Sequence, residues 1–83
     1  MIAVTLDDTA WKDVEEGTEA LLDRWLVAEG ATVRAGAPVA VVVLVKTNIE
    51  VPAPADGVLE RILVAAGDTF ARGAPIGTLR ESG

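Results

Sequence analysis

Residues 22–42 read LDRWLVAEGATVRAGAPVAVV, and residues 59–79 read LERILVAAGDTFARGAPIGTL. At an offset of 37 the two stretches share 10 identities in 21: Leu, Arg, Leu, Val, Ala, Gly, Thr, Gly, Ala and Pro. Most other positions are soft exchanges, such as Asp23 with Glu60, Trp25 with Ile62, Val33 with Phe70 and Val39 with Ile76. A segment written twice folds twice, so its local structure must suit both copies. That condition separates strand from helix. Val14, Thr18, Leu21, Leu22 and Trp25 recur at helical spacing, so an amphipathic helix over 10–27 competes. The matching segment 59–65 sits between Gly57 and Gly67, too short for a typical helix. Strand is the common reading.

Each copy then has one grammar: strand, glycine (30 or 67), short strand, glycine (36 or 73), Ala-Pro, strand. The glycines permit turns with positive φ. Pro38 and Pro75 stand where strands begin, where a missing N–H is tolerated. Short β-branched runs between regular turn signals predict an all-β sandwich or barrel. The duplication predicts two like halves about a pseudo-two-fold axis. Outside the copies, Ile2, Val4 and Leu6 alternate as a first strand. Residues 7–17 are acidic and read as a loop with a helical turn around Thr9 to Val14.

Composition narrows the function. Eighty-three residues make one domain, spanning 1–83, and 51% hydrophobic residues suffice for a core. There is no cysteine and no histidine, so thiolate chemistry and the usual neutral-pH general base are both missing. A net charge of −6 provides no basic patch for nucleic acid. The N-terminus lacks a targeting pattern, and the longest apolar run, Pro38 to Val45, is too short to span a bilayer. A cytoplasmic protein with no membrane partner is expected. Asp7, Asp8, Asp13, Glu15 and Glu16 match no calcium-loop spacing and read as a solvated acidic face. Trp25 is expected in or beside the core, and Trp11 is expected to pin the acidic loop to the barrel.

Between the copies lies Val43-Leu44-Val45-Lys46-Thr47-Asn48-Ile49-Glu50-Val51-Pro52-Ala53-Pro54. An apolar strand, a polar break at Lys46-Thr47-Asn48 and an alternating strand make a hairpin over 43–51. Pro52 and Pro54 end its second strand, and Asp56-Gly57 turns into the second copy. Lys46 is one of only two lysines and stands at or beside the tip. It has three readings. It is a solvated turn residue, a nucleophilic amine, or an anchor for a long prosthetic arm. The second needs desolvation or a cationic neighbour, and a hairpin tip supplies neither.

The chain resembles the biotinyl/lipoyl attachment domain family over roughly residues 16–80. Glu16-Gly17-Thr18, Trp25-Leu26-Val27 with Glu29-Gly30, and Gly36-Ala37-Pro38 are similar to the family's EGT, WLVKEGD and GDPL segments. Glu50-Val51-Pro52-Ala53-Pro54 with Asp56-Gly57 is similar to the lipoyl branch's EVPAPxDG. Gly67-Asp68-Thr69 and Gly73-Ala74-Pro75 complete the set. Lys46 falls ten residues after Gly36 and eleven before Gly57, as the family lysine does. The resemblance implies a flattened β-barrel of two four-stranded antiparallel sheets, a barrel-sandwich hybrid. It also implies Lys46 as the attachment lysine on a protruding hairpin.

The tip reads Val45-Lys46-Thr47, where the lipoyl branch has Asp-Lys-Ala and the biotinyl branch Met-Lys-Met. The flank favours lipoate over biotin. The resemblance then implies a free-standing, non-catalytic carrier for a 2-oxo acid or acetoin dehydrogenase system. Its partners would be a lipoate-attaching enzyme, a thiamin-dependent dehydrogenase, an acyltransferase and a flavin dehydrogenase. A biotinyl carrier for a carboxylase, and an unmodified interaction module of the same fold, are the alternatives. Either Gly30→Val or Gly67→Val is expected to destabilise the domain by about 1–3 kcal/mol through lost turn geometry. Thermal melts matching the parent for both variants would refute the strand–turn reading.

Overall fold

Strand formation follows the apolar alternation closely. The computed structural model describes residues 2–12 and 14–81. The strands are β1 (Ile2–Val4), β2 (Glu19–Trp25), β3 (Thr32–Val33), β4 (Pro38–Leu44), β5 (Thr47–Pro52), β6 (Gly57–Ile62), β7 (Thr69–Ala71) and β8 (Gly77–Glu81). They form two four-stranded antiparallel sheets, ordered β1-β8-β6-β3 and β5-β4-β2-β7. The helix competing for 10–27 is absent, because Ala20 and Leu22 alternate inward with exposed Glu19, Leu21 and Asp23. The only helical element among the described residues is a 3₁₀ turn at Asp8–Trp11.

The repeat governs this architecture in detail. Moving each strand by 37 residues carries β2 onto β6, β3 onto β7 and β4 onto β8, so one sheet order becomes the other. Even the irregularities match. The β2–β4 ladder slips between Leu22 and Arg24, and the β6–β8 ladder slips between Leu59 and Arg61. Asp23 and Glu60 are thus equivalent bulges, which bend each long strand toward the other sheet. The chain changes sheet after each bulged strand, at a glycine turn. Gly30 and Gly67 have φ of 89° and 93°, with open space where a side chain would stand. Their cost to substitution is therefore conformational, not steric.

The core is made of matched pairs. Leu22 and Leu59, Val39 and Ile76, and Val42 and Leu79 have no exposed surface. Val33 and Phe70 are buried as well. β1 fills the place of β5 in the second half: Ile2 and Val4 pair with Leu79 and Gly77 as Ile49 and Val51 pair with Val42 and Ala40. The first strand is one residue pair shorter than the alternation predicts. Leu6 is buried but lies beyond the ladder, because the chain turns there into the acidic loop.

Two glycines serve close approach instead of turning. A Cβ at Gly57 would fall on the carbonyl oxygen of Arg80, across the β6–β8 ladder. A Cβ at Gly77 would stand 2.8 Å from the Arg61 carbonyl oxygen and 3.1 Å from the Trp25 ring. Trp25 is half-buried, as expected, and its Nε1 donates to the Val64 carbonyl at 2.8 Å. The ring therefore ties the first copy to the second. Gly57→Ala is expected to destabilise by about 1–3 kcal/mol, since a backbone atom must move. Chemical denaturation of the variant beside the parent measures it.

Candidate functional site

Lys46 owes its position to the β4–β5 ladder. Six Cα pairs run from Pro38↔Pro52 up to Leu44↔Thr47, so the loop between the strands is Val45-Lys46 alone. The polar break expected at 46–48 is thus shorter and begins one residue earlier. Thr47 and Asn48 already belong to β5. The inward faces of Val42, Leu44 and Val51 are buried, and they root the hairpin in the core. Above that root the hairpin is exposed from Val45 through Asn48.

The turn is strained. Val45 has φ of 49° and Lys46 has φ of 67°. Two positive values are what a two-residue type I′ turn requires, and that turn matches the twist of the strands. Asn, Asp and Gly are its usual occupants, while a β-branched valine there is a genuine outlier. The long paired strands impose the turn, and Val45 adopts it at a cost. Lys46 is exposed, and among the described residues the one ion pair, Arg72–Asp8, lies elsewhere. Among the described residues no acidic group pairs with its ε-amine, and no burial removes it from solvent.

The lysine stands at the end of the barrel remote from the described chain ends. β6 starts at Gly57, paired with Glu81. The next strand, β7, lies in the other sheet and ends at Ala71 paired with Glu19, level with the hairpin turn. The passage from Gly57 to Ala71 therefore runs from the terminal end toward the lysine end.

The acidic loop lies against that lysine end. Trp11 is only 2% exposed and meets the Phe70 ring edge-on, with centroids 6.3 Å apart at 81°. It pins the loop to the barrel, as its place in the sequence suggested. Asp7 caps the 3₁₀ turn, accepting from the Thr9 backbone N–H and hydroxyl, both at 3.0 Å. Asp8 accepts from Arg72 Nε at 2.9 Å. That hydrogen bond, and secondarily the guanidinium charge, hold the Asp8 carboxyl below its ordinary value. Asp13 lies outside the described residues. Between loop and barrel is a cleft of about 310 Å³ walled by Trp11, Val14, Glu16, Thr18 and Arg72. A shallower depression joins it and is bordered by Val14, Glu15, Thr18, Glu19 and Val45. The sequence offered no sign that this loop would reach the hairpin.

The EVPAP flank has a structural task too. Ala53 accepts from the Gly36 N–H at 2.9 Å and donates to the Ala37 carbonyl at 2.8 Å. Asp56 Oδ1 accepts from the Ala35 N–H at 2.7 Å. These bonds hold the start of β4 to the end of β5, and so fix the base of the hairpin.

A family profile described as "Biotin-requiring enzyme", the biotin/lipoyl model, matches residues 12–79. The chain belongs to the biotin/lipoyl attachment family. Among solved structures it is similar to the lipoyl domain of the 2-oxoglutarate dehydrogenase complex of Azotobacter vinelandii, at 26% identity with a TM-score of 0.79. That match covers 100% of each chain. No curated protein matches the sequence significantly. The two-sheet architecture described above is the lipoyl-domain fold. Among the described residues no helix is long and apolar enough to cross a membrane.

The strain at the tip is testable without any partner. Val45→Asn is expected to stabilise the domain by about 1 kcal/mol, because asparagine accepts the left-handed conformation. Thermal unfolding of the unmodified protein reads this. A melting point at or below the parent's would contradict it.

Proposed function

We propose that this attachment domain is a lipoyl carrier, with the arm joined to Nζ of Lys46. One observation carries the reading: a lysine exposed on a two-residue turn at the end of a core-rooted hairpin. Such a tip can enter another protein's active site while the barrel stays outside. The likeness to a lipoyl domain and the EVPAP flank support lipoate over biotin. The family's description names biotin, so a biotinyl arm on the same amine is the second reading.

The residues present fit such a group. Lys46 offers an amine free of ion pairing among the described residues, and the fixed turn holds its Cα. Conversion to an amide removes one positive charge from a chain whose formal net charge is already −6. A lipoyl group, when bound, supplies a pair of sulfurs that take up and release acyl groups. The protein's share is reach, presentation and recognition. The expected partners are a lipoate-attaching enzyme and the thiamin-dependent, acyltransferase and flavin components of a 2-oxo acid or acetoin dehydrogenase complex. Docking to those components raises the effective concentration of the arm at each.

Intact mass of the protein from its native host tests this. The parent is expected to carry a lipoyl increment, and Lys46→Arg none. A biotinyl increment would establish the second reading. Unmodified protein from a lipoate-replete host would overturn both.

A further inference from the structure

The repeat supplies an internal control for surface positions on the two sheets. Leu21 pairs with Val43 across β2 and β4, and the same place across β6 and β8 holds Val58 and Arg80. Arg24 pairs with Val41, and the matching pair is Arg61 with Thr78. The outer face of β8 thus carries Thr78 and Arg80, so the fold itself asks for no valine there. β4 nonetheless carries Val41 and Val43 and runs on into Val45. Val41 lies between Arg24 and Glu50 and is only 7% exposed. Toward the tip the cover ends: Leu21 is 37% exposed, Val43 is half-buried and Val45 is 64% exposed. An apolar strip therefore rises along one face of this sheet to the residue before Lys46. Its border is acidic, with Glu19 and Glu15 beside Val45 and Glu50 lower down. Arg24 is the only basic residue in these rows.

We propose that this strip is the docking surface for the enzyme that joins the arm to Lys46, met by an apolar patch edged with Lys or Arg. The proposal rests on the carrier reading of Lys46. Reach selects this occupant. An enzyme that acylates the ε-amine must bring Nζ into its own active site, so it closes over the tip and touches Val45. A protein that meets only the far end of a long arm needs no contact there. In the attachment step the deprotonated Nζ attacks the carboxyl carbonyl of lipoate, activated at the expense of ATP. One amide bond forms, the bond to the activating phosphate breaks, and Nζ gives up a proton. Charge selects the border, since acids around an apolar centre steer a basic-rimmed partner and reject an acidic one. Covering the strip adds apolar burial of roughly 25 cal/mol per Å². The strain at Val45 is consistent with a side chain retained there for contact and not for the turn.

The test is an attachment assay on the full chain with a purified lipoate-attaching ligase, lipoate and Mg-ATP, read by intact mass. Thermal melts run alongside. Val43→Arg places on this sheet the residue its counterpart already tolerates. It is expected to raise the KM for the carrier about tenfold or more, a hot-spot-sized loss, while the melting point holds within about 3 °C. Arg80→Val, on the other sheet, is expected to leave KM at the parental value. Val43→Thr keeps the β-branched shape and carries the test if the arginine variant melts early. Parental KM for Val43→Arg and Val43→Thr would overturn the docking surface while leaving the carrier reading intact. An equal rise for Arg80→Val would overturn it too, by showing that the loss is not confined to this face. A parent chain that acquires no arm would overturn the carrier reading and this proposal together.

Discussion

Leu22 and Leu59 each exchange two backbone hydrogen bonds with the glycine turn of the opposite copy. The Leu22 N–H donates to the Asp68 carbonyl at 2.8 Å, and Gly67 donates back to Leu22 at 2.7 Å. Leu59 does the same with Ala31 and Gly30, at 2.9 and 2.7 Å. These four bonds lock two half-barrels that could not bury their apolar faces alone. They require the positive φ of Gly30 and Gly67, and they place both leucine side chains at the centre of the core. The bulges at Asp23 and Glu60 sit one residue further on and aim the chain at that exchange. Each half therefore supplies the other's missing edge, which a small domain with little surface to bury needs.

The hairpin depends on that interlock. β4 and β2 are the central strands of one sheet, so the position of β4 is set by Leu22 as well as by its own valines. Once β4 is placed, six Cα pairs bring β5 alongside and close the loop in two residues. Val45 and Lys46 then have no choice of conformation. The barrel thus converts core packing into a fixed location for one amine. It also leaves that amine exposed, where another protein can reach it. A presented and accessible lysine is the feature that a prosthetic arm requires.

Much of this was legible in the residues. The repeat excluded a helix at 10–27, because 59–65 could not form one, and the strand at Glu19–Trp25 agrees. Gly30, Gly36, Gly67 and Gly73 read as turns and all have positive φ. Pro38 opens β4 and Pro52 ends β5, as their missing N–H groups suggest. The tip was read less well. Asn48 looked like turn material, yet it pairs with Val43, since a ladder anchored by Val42, Leu44 and Val51 overrides local propensity. Gly57 was read as a turn residue but opens β6 without positive φ, and Gly77 gave no signal. Their need for a bare Cα comes from Arg80, Arg61 and Trp25, which lie far off in the chain.

By itself the sequence determined the number and kind of elements, the two-fold plan and the one lysine worth singling out. These follow from periodicity, turn chemistry and duplication, which are local or self-comparing properties. Tertiary structure alone decided three things. It set the two-residue turn with its strained valine, because the ladder and not the turn residues fixes the register. It brought the acidic loop against the hairpin, through Trp11 on Phe70 and Arg72 on Asp8. It aligned Leu21, Val43 and Val45 on one outward face, since strands far apart in the chain become neighbours only when the two halves close.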